Sequence, residues 1–494
     1  MSEEEIEKNK IENNSENLQT LEKPYYVTIG MEVHAELNTK SKMWCSCLND
    51  PFNSDPNANV CPTCLAEPGA LPVANLEAIK KIVKVGLATG STIANFTEFD
   101  RKNYFYPDMP KAYQLSQYLY PVVSGGKLNG IELTRIHQEE DTAKSDHEKG
   151  GYTLLDFNRA AVPLMELVTE PITYTSKEEA ASKSADFGKA LQRLLRTLEV
   201  SDANMDKGQL RLEANISITL DPKKFGTKCE VKNLNSFNSV EKAIIYEVNR
   251  HADMLARGET IIQETRGWDE NKLETFSQRK KENAHDYRYF PCPDLPKMYL
   301  HEMFDLKQMK KDLPELPEAK KLRLESYSIN EKQVTGLLDD IEMGKYYDSA
   351  CADLNNTEDK KTLANYLLGD AAGFMSKDTN LKLPSPNNLA KIILMISEGK
   401  LSSRGAKDLL LNIMGDDVAD SELETRAKDL GLIQNSDPEA TKNIVMKVIG
   451  GDAEKWAEYK AGADKLEMYF VGKCMKEAAG SGNPKVFIEI IKSI

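Results

Sequence analysis

Between Tyr25 and Leu37 (YYVTIGMEVHAEL) apolar and polar side chains alternate, and that period of two predicts a half-buried strand. Gln209 to Leu220 (QLRLEANISITL) alternates in the same way, and Lys228 to Asn233 forms a shorter third run. Apolar groups recur at helical spacing in Leu76 to Ala88, Ser176 to Leu198 and Ser239 to Ala256. The long connections carry Pro, Gly, Asn and Asp. Residues 23–300 therefore read as one large α+β domain. From about His301 the strand signals fade. Asn330 to Met343 and Lys360 to Phe374 have helical spacing, which makes 301–385 a helical linker. The stretch Leu383-Pro384-Ser385-Pro386 reads as a hinge, with Pro386 at or just before the start of a helix that continues through Leu389 to Ser397. Short helices follow, with glycine stops at Gly399, Gly415 and Gly431, and Glu454 to Ala479 is again helical in period. Residues 386–494 read as a small all-α tail domain.

Composition changes this picture at the ends and in the choice of partners. Residues 1–22 have few apolar groups and no aromatic, so they cannot bury enough surface to offset ordering entropy, and a disordered tail is expected. No apolar run reaches the length of a membrane span, and the N-terminus lacks the basic-then-apolar pattern of an export signal. A cytoplasmic protein with reduced thiols is the expectation, so the eight cysteines point to metal or burial rather than disulfides. The formal charge of −14 argues against a wholesale nucleic-acid coat, although a local basic patch or a basic partner can still bring RNA to the chain.

Five motifs carry candidate chemistry. On the first strand Glu32, His34 and Glu36 share one face, and Met31, Val33 and Ala35 the other. Two carboxylates and an imidazole on one face can bind a divalent cation, or can simply be the solvated face of an edge strand. Cys45-Ser46-Cys47 and Cys61-Pro62-Thr63-Cys64 supply four thiolates at a spacing that suits a closed, structural zinc site. Arg101 to Lys111 (RKNYFYPDMPK) interleaves cations with rings, which suits phosphate and base contacts or a loop packed on the domain surface. His137-Gln138-Glu139-Glu140-Asp141 places three acids side by side, which repel unless solvated, paired or neutralised by metal. Glu166 follows in an apolar stretch, where it is either salt-bridged to Arg159 or a metal ligand. The strands around Arg211 to Ser217 and Glu230 to Lys232 set polar faces over apolar ones. A phosphate loop, a nucleophile elbow, an H-E-x-x-H helix and a dinucleotide fingerprint are all missing from the sequence.

Taken together, IGMEVHAEL, SKMWCSC, VCPTCLAEPGALPVAN, FDRKNYFYPDMPKAYQLSQY, HQEEDTAKSDH, DFNRAAVPLMELVTEP, EVKNLNSFNSVEKAI, QETRGWDE and DYRYFPCPDLP resemble the B subunit of the aspartyl/glutamyl-tRNA amidotransferase. The resemblance runs from about Tyr25 to the C-terminus. The chain departs from the family where Cys292 replaces a common acid, where Glu213 replaces a common Asp, and near Gly480-Ser481-Gly482. It is too short for the inserted domain of the archaeal relative.

The resemblance implies a cradle-like catalytic domain in a heterotrimer. An amidase-type A subunit releases ammonia from glutamine, and a small C subunit clamps the other two together. ATP phosphorylates the side-chain carboxylate of Glu-tRNA(Gln) or Asp-tRNA(Asn) in this chain, and ammonia displaces the phosphate. It implies Mg2+ held by Glu32, His34, Glu140 and Glu166, which are also the expected catalytic residues, with Glu139 and Glu213 in reserve. It points to Arg101, Lys102 and Lys111 for phosphate or the tRNA end, and to Lys232 and Asn235 on the substrate side. The tail domain would bind tRNA. Two rivals are a small-molecule ATP-dependent ligase and a non-enzymatic, zinc-stapled RNA-binding protein.

Overall fold

The structure, a computed structural model, describes residues 25–494 except 147–149, 281–286, 417, 435–437, 479–481 and 483. The expected disordered tail, residues 1–22, lies outside the described residues. The chain divides into two compact units, the first ending at Pro317 and the second spanning Glu318–Ile494.

The first unit is built on an 11-stranded mixed sheet. Its main path runs Glu274–Lys280, Glu264–Asp269, Cys229–Leu234, Leu210–Thr219, Tyr26–Glu36, Pro163–Thr169, Ile131–Glu140, Val123–Ser124, Thr92–Ile93. Neighbours are antiparallel except Cys229–Leu234 beside Glu264–Asp269, which are parallel. The first strand of the chain thus lies in the middle of the sheet. Its alternation is that of a central strand with one buried face: Val27, Ile29, Met31, Val33 and Ala35 are all in the core.

Two long helices, Lys177–Thr197 and Phe237–Ala256, pack on each other and on this apolar face. Each starts where a serine side chain accepts from the exposed backbone N–H of the first turn, Ser176 from Glu179 and Ser236 from Ser239. Gly188 lets the first helix lie close to the sheet, because a Cβ there would stand 2.6 Å from Leu212 Cδ2. A third helix, Leu76–Ala88, is capped by Asn75. With one face sealed by helices, the polar face of the sheet is left to the loops, and the candidate site forms there. Leu300 belongs to this core, and Phe304, Leu306, Met309, Leu313 and Leu316 pack against it.

The second unit is helical. One core gathers Leu324 to Ala427, and another gathers Val445 to Ile491. The helix expected near Pro386 spans Pro386–Ser397, with Ser385 capping it and proline in the first turn. Two other helical runs are divided. Asn330 to Met343 breaks at Asp340, whose carboxylate caps a new helix, Ile341–Cys351, by accepting from the Met343 N–H. The run beginning near Glu454 breaks into Ala453–Lys460 and Leu466–Glu477, with Gly462 between them at φ 107°. The fold class is therefore α+β, a large sheet-containing unit followed by helices. Among the described residues no helix is long and apolar enough to cross a membrane.

Candidate active site and metal centre

Strand register assembles the polar face. Directly opposed residues in a sheet share a face, and so do residues two apart on one strand. His34 lies opposite Glu166 on one side and Arg211 on the other, and Glu166 lies opposite His137. Glu32 lies opposite Glu213. One row of the sheet floor is therefore Arg211, His34, Glu166 and His137, with Glu32 and Glu213 two residues away and Glu139 two residues beyond His137.

The side chains meet as this register requires. His34 Nε2 is 3.4 Å from Glu166 Oε2 and 3.9 Å from Glu139 Oε2, and its Nδ1 is 3.8 Å from Glu213 Oε1. His137 Nε2 is 3.4 Å from Glu166 Oε2 and 3.5 Å from Glu139 Oε1. Ser116 Oγ donates to Glu139 at 2.6 Å and Gln114 Nε2 at 3.1 Å. Three overlapping sets have ligand atoms within 4.8 Å of one another: Glu32, His34 and Glu166; His137, Glu139 and Glu166; and Glu32, Glu213 and Glu230.

The charges are unevenly matched. Burial opposes ionisation of Glu139, but Lys102 and His137 draw its carboxyl down to about 2. Burial likewise opposes ionisation of Glu166, yet the two imidazoles hold it well below the usual carboxylate range. His137 is raised to about 9 against its burial, chiefly by Glu166 and Glu139. Glu32 is different. Burial, then the neighbouring Glu166 and Glu213, push it up to about 7. His34 and Lys232 oppose that rise only in part, and a bound divalent ion would relieve the rest.

Glu140 is not part of this cluster. It is one residue out of step with His137 and Glu139 on the same strand, so it faces away from them. Its Oε1 accepts from the Leu115 N–H at 2.9 Å and its Oε2 from Lys111 Nζ at 2.6 Å. The structure therefore does not bring Glu140 beside Glu32, His34 and Glu166, and it is Glu139 that lies next to His34. Lys111 is correspondingly engaged in an ion pair with Glu140.

The remaining expected residues divide. Lys102 Nζ sits 3.8 Å from Glu139 and 5.4 Å from the centre of the Tyr287 ring, so it borders the floor. Arg101 is turned to Asp294 and lies over the Tyr113 ring. Lys232 Nζ is 2.7 Å from Glu213 and 4.0 Å from Glu230. Asn235 is exposed, between the end of its strand and the Ser236 helix cap. Glu36 continues the face but joins another network. Burial and the adjacent Asp141 push it up to about 8, while Asp141 is held by Arg211 at 2.8 Å. The reading of Glu166 as salt-bridged to Arg159 does not hold, because Arg159 turns to Asp141 and to the carbonyls of Thr142 and Ala143. His137, which the sequence offered only as the start of an acidic run, is the residue most clearly missed. Its spacing of two from Glu139 was the available signal.

Beside this sheet the four cysteines Cys45, Cys47, Cys61 and Cys64 come together, with all ligand atoms within 4.8 Å of one another. Cys61 and Cys64 Sγ are 3.8 Å apart, about the edge of a tetrahedron with 2.3 Å arms. The cluster fits a metal ion.

A mixed sheet whose polar face carries clustered carboxylates and two imidazoles, beside a four-thiol clip, is the catalytic unit of a recognised class. The model for the GatB/GatE catalytic domain matches residues 27–305, and that for the GatB domain matches residues 345–494. The chain belongs to the GatB/GatE family. It is similar over nearly its whole length to curated relatives. The B subunit of the aspartyl/glutamyl-tRNA(Asn/Gln) amidotransferase from Campylobacter jejuni is 41% identical over 488 residues, 95% of this chain and 99% of the relative. The protein of that name from Crocosphaera subtropica is 39% identical over 495 residues, 95% of this chain and 97% of the relative. The chloroplastic/mitochondrial B subunit of the glutamyl-tRNA(Gln) amidotransferase from Ostreococcus lucimarinus is 39% identical over 492 residues, 95% and 96% respectively.

Proposed function

We propose that this chain is the amidating subunit of a glutamine-dependent tRNA amidotransferase, acting in the cytoplasm on Glu-tRNA(Gln), Asp-tRNA(Asn) or both. The reading rests on the family and on one observation, the floor of Glu32, Glu139, Glu166 and Glu213 around His34 and His137. A carboxylate is a poor electrophile until one oxygen becomes part of a leaving group. Phosphoryl transfer from ATP to that oxygen needs positioning and positive charge rather than a protein nucleophile. ADP leaves as the new P–O bond forms. Ammonia then attacks the acyl carbon, and phosphate departs with the C–O bond electrons to leave the amide on the tRNA.

The site residues have matching roles. Glu32, Glu139 and Glu166, with His34 beside them, would hold Mg2+, which supplies positive charge to the phosphoryl oxygens. His137 bridges Glu139 and Glu166 and fixes their orientation. Lys102 and Lys232 stand at opposite margins of the floor, where they can meet phosphate or the substrate carboxylate. Asn235, exposed near Lys232, is proposed on the substrate side, and the turned-away Arg101 is assigned to neither ligand. The four cysteines would hold structural Zn2+. An amidase-type A subunit would supply ammonia and a small C subunit would complete a heterotrimer, with residues 386–494 contributing tRNA contacts. The test is co-expression with both partners and assay of Glu-tRNA(Gln) and Asp-tRNA(Asn) with ATP and glutamine. Amide formation on at least one of them is expected. ATP turnover that ignores tRNA and yields no amide would overturn the reading.

A further inference from the structure

Among the described residues Lys42 is the largest charged side chain that is completely buried, with none of its surface exposed. Its Nζ donates to the Phe157 carbonyl at 2.9 Å and lies 3.9 Å from Cys64 Sγ. Among the described residues no carboxylate comes within ion-pair distance of it. A buried ammonium without a counter-anion is costly, and a single carbonyl dipole does not offset that cost. The anion within reach is the four-cysteine cluster. Four thiolates around a divalent ion carry a net charge of −2, and burying that charge is costly in its turn. Each group therefore has what the other lacks.

The local backbone fixes the pairing. The Lys42 N–H donates to the Cys47 carbonyl at 3.0 Å, and Asn75 Nδ2 donates to the Lys42 carbonyl at 3.2 Å, so the lysine is tied into the same turn as two of the ligands. On the far side of the cluster the Cys61 N–H donates to Cys64 Sγ at 3.0 Å. Cys64 Sγ thus receives a backbone donor and an ammonium from two directions, and it is the most buried of the four ligands.

We propose that Lys42 is a positioning residue for the metal clip: its ammonium donates to the Cys64 thiolate, offsets part of the centre's negative charge, and ties the centre through the Phe157 carbonyl to the neighbouring loop. The inference rests on the reading of the four cysteines as a zinc site. It goes beyond that reading by assigning a fifth residue, from outside the cysteine pattern, to the strength of metal binding. Phe157 follows Asp156, which accepts from the Asn57 N–H at 2.9 Å, so the lysine adds to the hydrogen bonds that join the metal loop to this segment.

The experiment measures zinc affinity of the full chain by competition with a chromophoric chelator, for the native protein, Lys42→Met and Lys42→Arg. Loss of an outer hydrogen-bond partner weakens metal sites by roughly 10–100-fold, and that loss is expected for Lys42→Met. Lys42→Arg keeps the charge and should recover most of it. The thiolate-to-metal charge-transfer band of the Co2+-loaded protein should move in Lys42→Met and return toward its native position in Lys42→Arg. A merely space-filling lysine would lower the melting temperature without altering affinity or the band. Should Lys42→Met not fold, Lys42→Gln removes the charge while keeping a neutral donor, and is expected to show the same loss. Equal zinc affinity in the native and uncharged variants overturns the proposal. A native chain that takes up no zinc at all overturns instead the zinc reading beneath it.

Discussion

At Glu139 and Glu140 one residue of displacement along a strand decides which carboxylate faces the floor. Both are almost completely buried, and composition cannot distinguish them. The alternation of faces can: Glu139 joins His34 and His137, and Glu140 joins Lys111. Mn2+ binding to the full chain, followed by electron paramagnetic resonance, should therefore weaken by about 10–100-fold in Glu139→Gln and stay within a few-fold of native in Glu140→Gln. The reverse order would place the cation elsewhere. A second residue has a consequence for stability. His251 is fully enclosed in the first unit, and burial pushes it down to about 4 although Glu247 is 3.4 Å away. Glu247 is occupied by Arg250 at 2.8 Å and Arg266 at 3.2 Å. A histidine with a folded value below its unfolded value of about 6.5 binds more protons when unfolded. Its contribution is complete above about pH 6.5 and is lost as the pH falls toward 4, at a cost of up to about 3 kcal/mol. The drop in melting temperature between pH 7.5 and pH 5 should be smaller in His251→Gln than in the native protein; an equal drop would contradict the assignment.

Elements differ in how much of them the sequence displayed. The period of two in YVTIGMEVHAE marked both the strand and its buried face, because that strand is central and one-sided. The three long helices of the first unit were legible from apolar spacing, whereas their Asn and Ser caps emerged only in the structure. The cysteine pairs were legible from spacing alone. What alternation could not show is which strands become neighbours. Glu166 reaches His34 through a pairing between segments more than a hundred residues apart in the chain, His137 reaches it through a second pairing with the strand of Glu166, and only the folded sheet sets that register. Lys232 depends on a further irregularity. The pairing with Leu210–Thr219 shifts between Leu212 and Ala214, and Asn233 adopts φ 64°, as a bulge requires. The helix breaks at Asp340 and Gly462 come from capping and from positive φ, which apolar periodicity does not register. In the metal loop, Cys61→Ser should remove one zinc equivalent by elemental analysis and lower the melting temperature. Amidation per folded molecule should change less than stability, and unchanged zinc content would count against the clip.

For the whole molecule, the family assignment covers the sheet unit and most of the helical unit, and each has its own core. The helical unit holds two cores, and the one from Leu324 to Ala427 includes residues on both sides of Pro386. A truncation that tests the proposed tRNA-binding tail should therefore spare it and remove residues 438–494, which contain the second core. Glutamine hydrolysis by the assembled complex is expected to survive, and KM for aminoacyl-tRNA to rise about tenfold, equivalent to ~1.4 kcal/mol. An unchanged KM would give that helical segment another role. The central claim concerns the carboxylate floor, and Glu32 is its most direct probe because burial and two neighbouring carboxylates push it up to about 7. In the assembled complex, with exogenous ammonia in place of glutamine, amide formation on misacylated tRNA and phosphate release from ATP are measured together for Glu32→Gln. Both should fall by about 10²–10³ while glutamine hydrolysis and tRNA binding persist. Amidation at the native rate by Glu32→Gln under those conditions would contradict the account.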